Sequence, residues 1–212
     1  MEKNAYHHGN LRSAVLAAAL TRLTSEGPEK LSLRGLARDV GVSATALYRH
    51  FSDKDTLLVT LAKEGFDCLT KAIIVAQQQT NGPAESLLAT GQAYVEFALT
   101  HPQQYRLMFG RYFCGENTDP PEVLDTAANQ AYQVLVSIIE QGIAAKQFTA
   151  KPAKMHAVAA WSMVHGLASL LIDGLLTNSP GKAINLSQEE LGSYIKAATE
   201  TFLNGMMVKL SQ

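Results

Sequence analysis

Cysteine is scarce. Cys68 and Cys114 are the only two in 212 residues, and their spacing fits neither a zinc site nor a paired-redox motif. Two reduced, buried thiols in a cytoplasmic protein are expected. No uninterrupted apolar run reaches the ~20 residues of a membrane span. The opening MEKNAYHHGN lacks the apolar stretch of a secretory signal. A cytoplasmic location with no membrane partner is therefore expected. Catalytic signatures are missing too. Gly9, Gly27, Gly35 and Gly41 are isolated, so there is no glycine-rich phosphate loop, and neither H-E-x-x-H nor G-x-S-x-G occurs. His156 and His165 are too far apart along a helix to form a compact metal pair. Glu189-Glu190 lies at a helix start, where acids suit the helix dipole. No enzyme activity, metal or cofactor is expected.

What is present is apolar and helical. Apolar residues make up 47% of the chain and charged residues 17%, enough to bury a substantial core. Net charge is only −1, but residues 1–54 hold eight Lys or Arg against five Asp or Glu. The basic surplus sits at one end, as phosphate contact would require. No segment alternates with the two-residue period of a strand, so the expected fold is all-α. Asn10 caps a first helix to about Glu26, stopped by Gly27-Pro28. Ser52 with Asp55 suggests a capping box for a long helix along Leu58, Leu61, Gly65, Leu69 and Ile73. Pro83 starts the next, burying Tyr94, Phe97 and Ala98. A short helix runs from His101-Pro102 to about Phe109. Gly115–Pro121 reads as a surface loop. The following helix reaches about Lys146, with Val134, Leu135, Ile138 and Ile139 as core candidates. Another spans about Pro152 to Leu176, and Asn178–Asn185 is a polar link. Ser187 with Glu190 boxes the last helix, whose apolar face carries Leu191, Tyr194, Ile195, Ala198, Phe202 and Met206.

Residues 31–58, LSLRGLARDVGVSATALYRHFSDKDTLL, carry the functional signal. Ser32 caps a helix with Leu33, Leu36, Ala37 and Val40 on one side. Gly41 follows, where a helix end often takes a left-handed residue. Ser43 then caps a second helix, Ala44 to His50. Two short helices about a tight glycine turn form a helix-turn-helix over about 32–51, a shape that fits the major groove. Leu47 should face inward against Leu36 and Val15, leaving Ala44, Thr45 and Tyr48 outward. Thr45 can bond a base edge or meet a thymine methyl. Ser43 and the amides beside it can take a phosphate, and Ser32 and Arg34 can reach the backbone. Both serines are equally well explained as caps alone. Phe51 reads as core, and Arg38 and Asp39 as a solvated face. His7 and His8 fit either a minor-groove arm or a free tail.

The run Gly41-Val42-Ser43, Leu47-Tyr48-Arg49-His50-Phe51, Lys54 and Leu57-Leu58 resembles the TetR (tetracycline-repressor) family of bacterial regulators. The likeness extends upstream from Gly27 to Leu11. Trp161, His165 and Gly166, with the Tyr6–Leu11 opening, resemble one C-terminal subclass. The resemblance implies a three-helix DNA-binding head, residues 1–55, on a larger helical ligand-binding and dimerisation body, residues 56–212. It implies phosphate or base-edge contacts from Tyr48 and His50 and a phosphate contact from Lys54; Arg49, whose direction the helix leaves open, is a further candidate DNA contact. It also implies a homodimer formed by the last two helices, a pseudopalindromic DNA operator and a small-molecule effector that releases the repressor.

Trp161 and His165 share one helical face. They suit either a core pair or a polar anchor in an apolar ligand cavity. Tyr105, Arg106, Phe109 and Phe113 are the other ligand-lining candidates. Two other readings compete: an all-α carrier or enzyme, and a regulator controlled by a protein partner. The small, polar recognition surface at Ala44, Thr45 and Tyr48, with Lys54 following, separates the first from a regulator, since a carrier has no use for it.

Overall fold

The left-handed residue is the device that punctuates this chain. The computed structural model describes residues 8–110, 112–113, 121–176 and 187–208, with side chains at 8–10 and 188–189 left aside. The regular elements there are α1 His8–Glu26, α2 Leu33–Asp39, α3 Ala44–Tyr48, α4 Lys54–Gln78, α5 Pro83–Thr100, α6 Pro102–Phe109, α7 Glu122–Ala144, α8 Ala153–Ile172 and α9 Gln188–Met206. Three of these helices end in the same way. Gly41, Lys146 and Gly174 have φ of 70°, 57° and 68°. In each case the next amide returns to a carbonyl five residues back: Val42 to Ala37, Gln147 to Gly142 and Leu175 to Leu170, all at 2.9 Å. This is the Schellman closure, which satisfies the last carbonyls of a helix.

Two expected boundaries move for that reason, and others move too. α8 stops at Ile172 rather than Leu176 because Gly174 turns left-handed. α7 stops at Ala144 because Lys146 does the same. α1 begins at His8, two residues before the expected cap. α4 is capped by Asp53 rather than Ser52, its Oδ1 accepting the Thr56 amide at 2.7 Å. Ser52 supports that cap by donating to Asp53 at 3.0 Å. The α9 capping box forms as expected, with Ser187 and Glu190 bonded reciprocally at 2.8 and 3.2 Å. Residues Gly115–Pro120, Asn178–Asn185, His7 and Cys114 lie outside the described residues.

Packing divides the chain into two units: 1–65 with 102–125, and 66–101 with 126–212. In the first, α1 packs on α2 and α6, and α2 on α3. Its centre is Val15, Leu36, Leu47, Phe51, Leu57, Leu58 and Leu61, all buried. α6 belongs to this unit through α4. Gln104 donates to the buried Leu61 carbonyl at 2.9 Å. A Cβ at Gly65 would lie 2.5 Å from Met108 Sδ, so only glycine leaves Met108 its place.

In the second unit α5 packs on α8 and α9. A core cluster joins Leu87, Val136, Ile138, Ile139, Phe148, Ala157, Leu203 and Met206. Val136 is buried where Val134 and Leu135 were expected, and they pack beside the cluster. Thr199 is buried on α9, while Tyr194 is 51% exposed. Cys68, expected to be buried, is exposed, because the face of α4 that packs carries Leu69 and Ile73. α8 is long and apolar enough to cross a membrane by length and composition, contrary to expectation, yet it packs on α5 and α9.

Gly142 shows how tight this unit is. A Cβ there would overlap the ring of Phe148, which is 1% exposed and has no room to withdraw. Alanine improves helix propensity by about 1 kcal/mol, but overpacking costs about 1–3 kcal/mol. Gly142→Ala should therefore lower the unfolding free energy in a denaturant titration. An unchanged or raised value would contradict this packing.

Candidate nucleic-acid interface and effector region

The first candidate site is built by the turn between α2 and α3. Ser32 Oγ accepts the Gly35 amide and Ser43 Oγ accepts the Ala46 amide, each at 3.2 Å. Both serines thus serve as caps, and each hydroxyl proton is still available to donate. α3 is shorter than expected, five residues with Arg49 at its C-cap. Leu47 is fully buried, so the helix has one inward anchor and an outward remainder. Thr45, Tyr48 and Arg49 are exposed, and Ala44 and His50 are partly so. Ser32, Ser43 and Arg34 are exposed as well. Tyr48 stands 45% exposed.

Ion pairs hold this surface in place. Arg22 of α1 donates two parallel hydrogen bonds to Asp39 at the end of α2, from Nε to Oδ2 and from Nη2 to Oδ1 at 3.0 Å. The bond to Arg22 keeps the Asp39 carboxyl below its ordinary range. Asp39 is therefore a strut rather than the purely solvated charge expected. Arg12 pairs with Glu64 at 3.3 Å and lies 5.8 Å over the Phe51 ring. Lys54 is partly buried and donates to the Glu29 carbonyl at 3.1 Å. The amide of Thr56 holds the Asp53 carboxyl low, as befits a cap.

The expected effector residues fall into two groups. Tyr105, Arg106, Phe109 and Phe113 are in the first unit. Tyr105 is buried with its ring 4.9 Å from that of Phe109, and Arg106 is exposed. Trp161 and His165 are in the second unit. There the structure adds a residue missed in the sequence. Tyr94 of α5 accepts from Trp161 Nε1 at 3.2 Å and bonds His165 Nδ1 at 2.9 Å. With Nδ1 unprotonated the Tyr94 hydroxyl donates to it, an arrangement that favours neutral histidine, whereas the other tautomer donates to Tyr94. Desolvation by burial pushes the His165 pKa down, in the same direction. Trp161 remains 38% exposed, and Tyr132 lies 6.1 Å from its ring. One turn earlier on α5, Thr90 Oγ1 is buried without a hydrogen-bond partner. A separate open groove of 520 Å³ runs between α4 and α7 and is lined by uncharged side chains, among them Thr70, Gln77, Asn129 and Gln133. None of the six expected residues lines it.

A helix-turn-helix with an exposed second helix, beside an all-helical body, defines a class of DNA-binding protein. Comparison with known proteins agrees. Residues 15–61 match the family described as bacterial regulatory proteins, tetR family. Residues 87–191 match the tetracyclin repressor-like C-terminal domain. A protein of unknown function from Rhodococcus sp. RHA1 is 32% identical, with a TM-score of 0.83, covering 97% of this chain and 100% of that one. A tetR-family bacterial regulatory protein from Rhodococcus RHA1 shares the fold at 21% identity and a TM-score of 0.69, covering 94% of this chain and 98% of that one. An HTH-type transcriptional regulator of Mycobacterium tuberculosis is 26% identical over 136 residues, 63% of this chain and 58% of that protein. The chain thus spans little more than half the length of that curated relative. The chain belongs to the TetR family of bacterial regulatory proteins.

The His165 environment has a pH consequence. Its pKa in the folded chain lies below the 6.5 of an ordinary histidine. Below that ordinary value the unfolded chain takes up the proton first, so stability is full above it and is lost as pH falls. Cooling-corrected melts at about pH 7.5 and about pH 5.5 should show a smaller acid loss in His165→Gln than in the parent. Equal losses would contradict the burial argument.

Proposed function

We propose that the protein is a DNA-binding transcriptional regulator, most simply a dimeric repressor released from a pseudopalindromic operator by a small molecule. The observation that carries this reading is α3, anchored by buried Leu47 with Thr45 and Tyr48 exposed. Ser32, Arg34, Ser43 and Lys54 serve the phosphate backbone. Ala44, Thr45, Tyr48, Arg49 and His50 face the groove. Lys54 exchanges its bond to the Glu29 carbonyl for a phosphate.

The partner copy packs on α8 and α9. Met155, Val158 and Leu170 of α8 are exposed at 62%, 52% and 42%, and Tyr194 of α9 at 51%. That much apolar surface on one element calls for a cover. A Cβ at Gly166 meets open space, which leaves room for a helix to approach. Two-fold pairing then sets two recognition helices on successive turns of the groove, about 34 Å apart. The effector is an apolar or aromatic molecule received in the body, where Trp161 offers a ring face and the Tyr94–His165 pair a polar anchor. A cytoplasmic location and the lack of catalysis follow from this role.

Binding measured by fluorescence anisotropy on duplexes selected from a random pool tests the reading. Lys54→Ala should weaken binding to every sequence and flatten its salt dependence. Thr45→Ala should alter discrimination at one or two base pairs, by about 1–3 kcal/mol. Sedimentation should give twice the 22.9 kDa chain mass. Equal affinity for selected and scrambled duplexes at physiological salt would overturn sequence-specific regulation.

A further inference from the structure

The start of α4 has two neighbours with opposite requirements. Lys54 is its first residue and Asp55 its second. A carboxylate there suits the helix dipole. It also stands beside the cation that meets phosphate, where a bare negative charge is unwelcome.

The structure supplies Asp55 with a partner from far along the chain. The Tyr112 hydroxyl, just beyond α6, donates to Asp55 Oδ1 at 2.9 Å, across 57 residues. The Tyr112 hydroxyl has its pKa pushed up to about 12, by burial first and then by the bond to Asp55. It therefore keeps its proton, and its role as donor, throughout the physiological range. Glu29 lies close enough to add to that field. Its carbonyl takes the Lys54 ammonium at 3.1 Å. Glu29, Lys54, Asp55 and Tyr112 thus form one polar cluster.

Tyr112 has a ring contact of its own. Its ring meets Phe113 edge-on at 5.1 Å. The helix before it is fastened to α4 by the Gln104 bond to the Leu61 carbonyl and by Met108 against Gly65. The next acid along α4 that is described with a partner, Glu64, is neutralised by Arg12. Asp55 is accompanied by the neutral hydroxyl of Tyr112, as the capping Asp53 is by that of Ser52.

We propose that Tyr112 is a positioning residue for operator binding: it holds the Asp55 carboxylate so that the first turn of α4 offers Lys54 to phosphate without an unpartnered negative charge beside it. This rests on the DNA-binding reading above. It gives Tyr112 a direct hold on the first turn of α4, through one hydrogen bond.

The test uses the full-length protein and a duplex that the parent protein selects from a random pool. Tyr112→Phe removes only the hydroxyl. It should weaken binding roughly two- to fivefold at about 50 mM salt, the scale of one exposed charge interaction. The loss should shrink at about 300 mM salt, where screening is stronger. Adding Asp55→Asn to Tyr112→Phe should restore binding, because the offending charge is gone. Asp55→Asn alone should bind at least as well as the parent, and it keeps the proposal falsifiable if Tyr112→Phe folds poorly. Unchanged binding in Tyr112→Phe would overturn the proposal. So would a loss that is equal at both salts and not restored by Asp55→Asn, which would mean a packing role. Weaker binding by Asp55→Asn alone would also overturn it. A parent protein that selects no duplex would instead overturn the DNA-binding reading itself.

Discussion

The turn at Gly41 is the constraint on which the head depends. Its φ of 70° is strained for any residue with a side chain. It lets the Val42 amide close on Ala37 and the Gly41 amide on Arg38, at 2.9 and 3.2 Å. With α2 ended there, Ser43 is placed to cap α3, and the direction of α3 is set. That direction puts Leu47 into the core and Thr45 and Tyr48 out of it. A five-residue helix has little stability of its own, because one turn fixes several dihedrals for few hydrogen bonds. α3 therefore exists because both its ends and its one buried side chain are held.

The rest of the first unit works to keep that geometry stiff. Arg22 ties the end of α2 to α1 by a two-pronged pair with Asp39. α6 is fastened along α4 by a buried amide-to-carbonyl bond and a methionine that needs Gly65. The second unit has a different character. Its core is a continuous aliphatic and aromatic cluster. At Tyr94, three aromatic side chains from two helices share hydrogen bonds. Buried polar groups are costly unless they are paired; the Tyr94 hydroxyl is paired and Thr90 Oγ1 is not.

Punctuation was the most legible feature of the sequence. Ser32, Ser43, the Ser187–Glu190 box, Pro83 and the glycines at 27 and 41 act within a few residues of themselves, so local chemistry reveals them. The inward placement of Leu47 followed from helical period, and Phe51, just past the helix, is buried as expected. Other features depend on tertiary structure. Val134, Leu135 and Val136 are consecutive and apolar, so no period decides which is buried. Lys146 carries no mark of a left-handed conformation. Tyr94 lies 67 and 71 residues from its partners, so nothing local announces it. Asp53 displaced Ser52 as the α4 cap because two adjacent capping residues compete, and Asp53 takes the Thr56 amide while Ser52 donates to Asp53.

The central claim is that α3 reads a base sequence in the major groove. Methylation interference measures this most directly, because dimethyl sulfate modifies guanine N7 in the major groove and adenine N3 in the minor groove. On a selected duplex, the account predicts interference at guanine N7 in two patches about one helical turn apart, symmetric about the centre. Interference confined to adenine N3, or an absence of interference at any guanine, would contradict it.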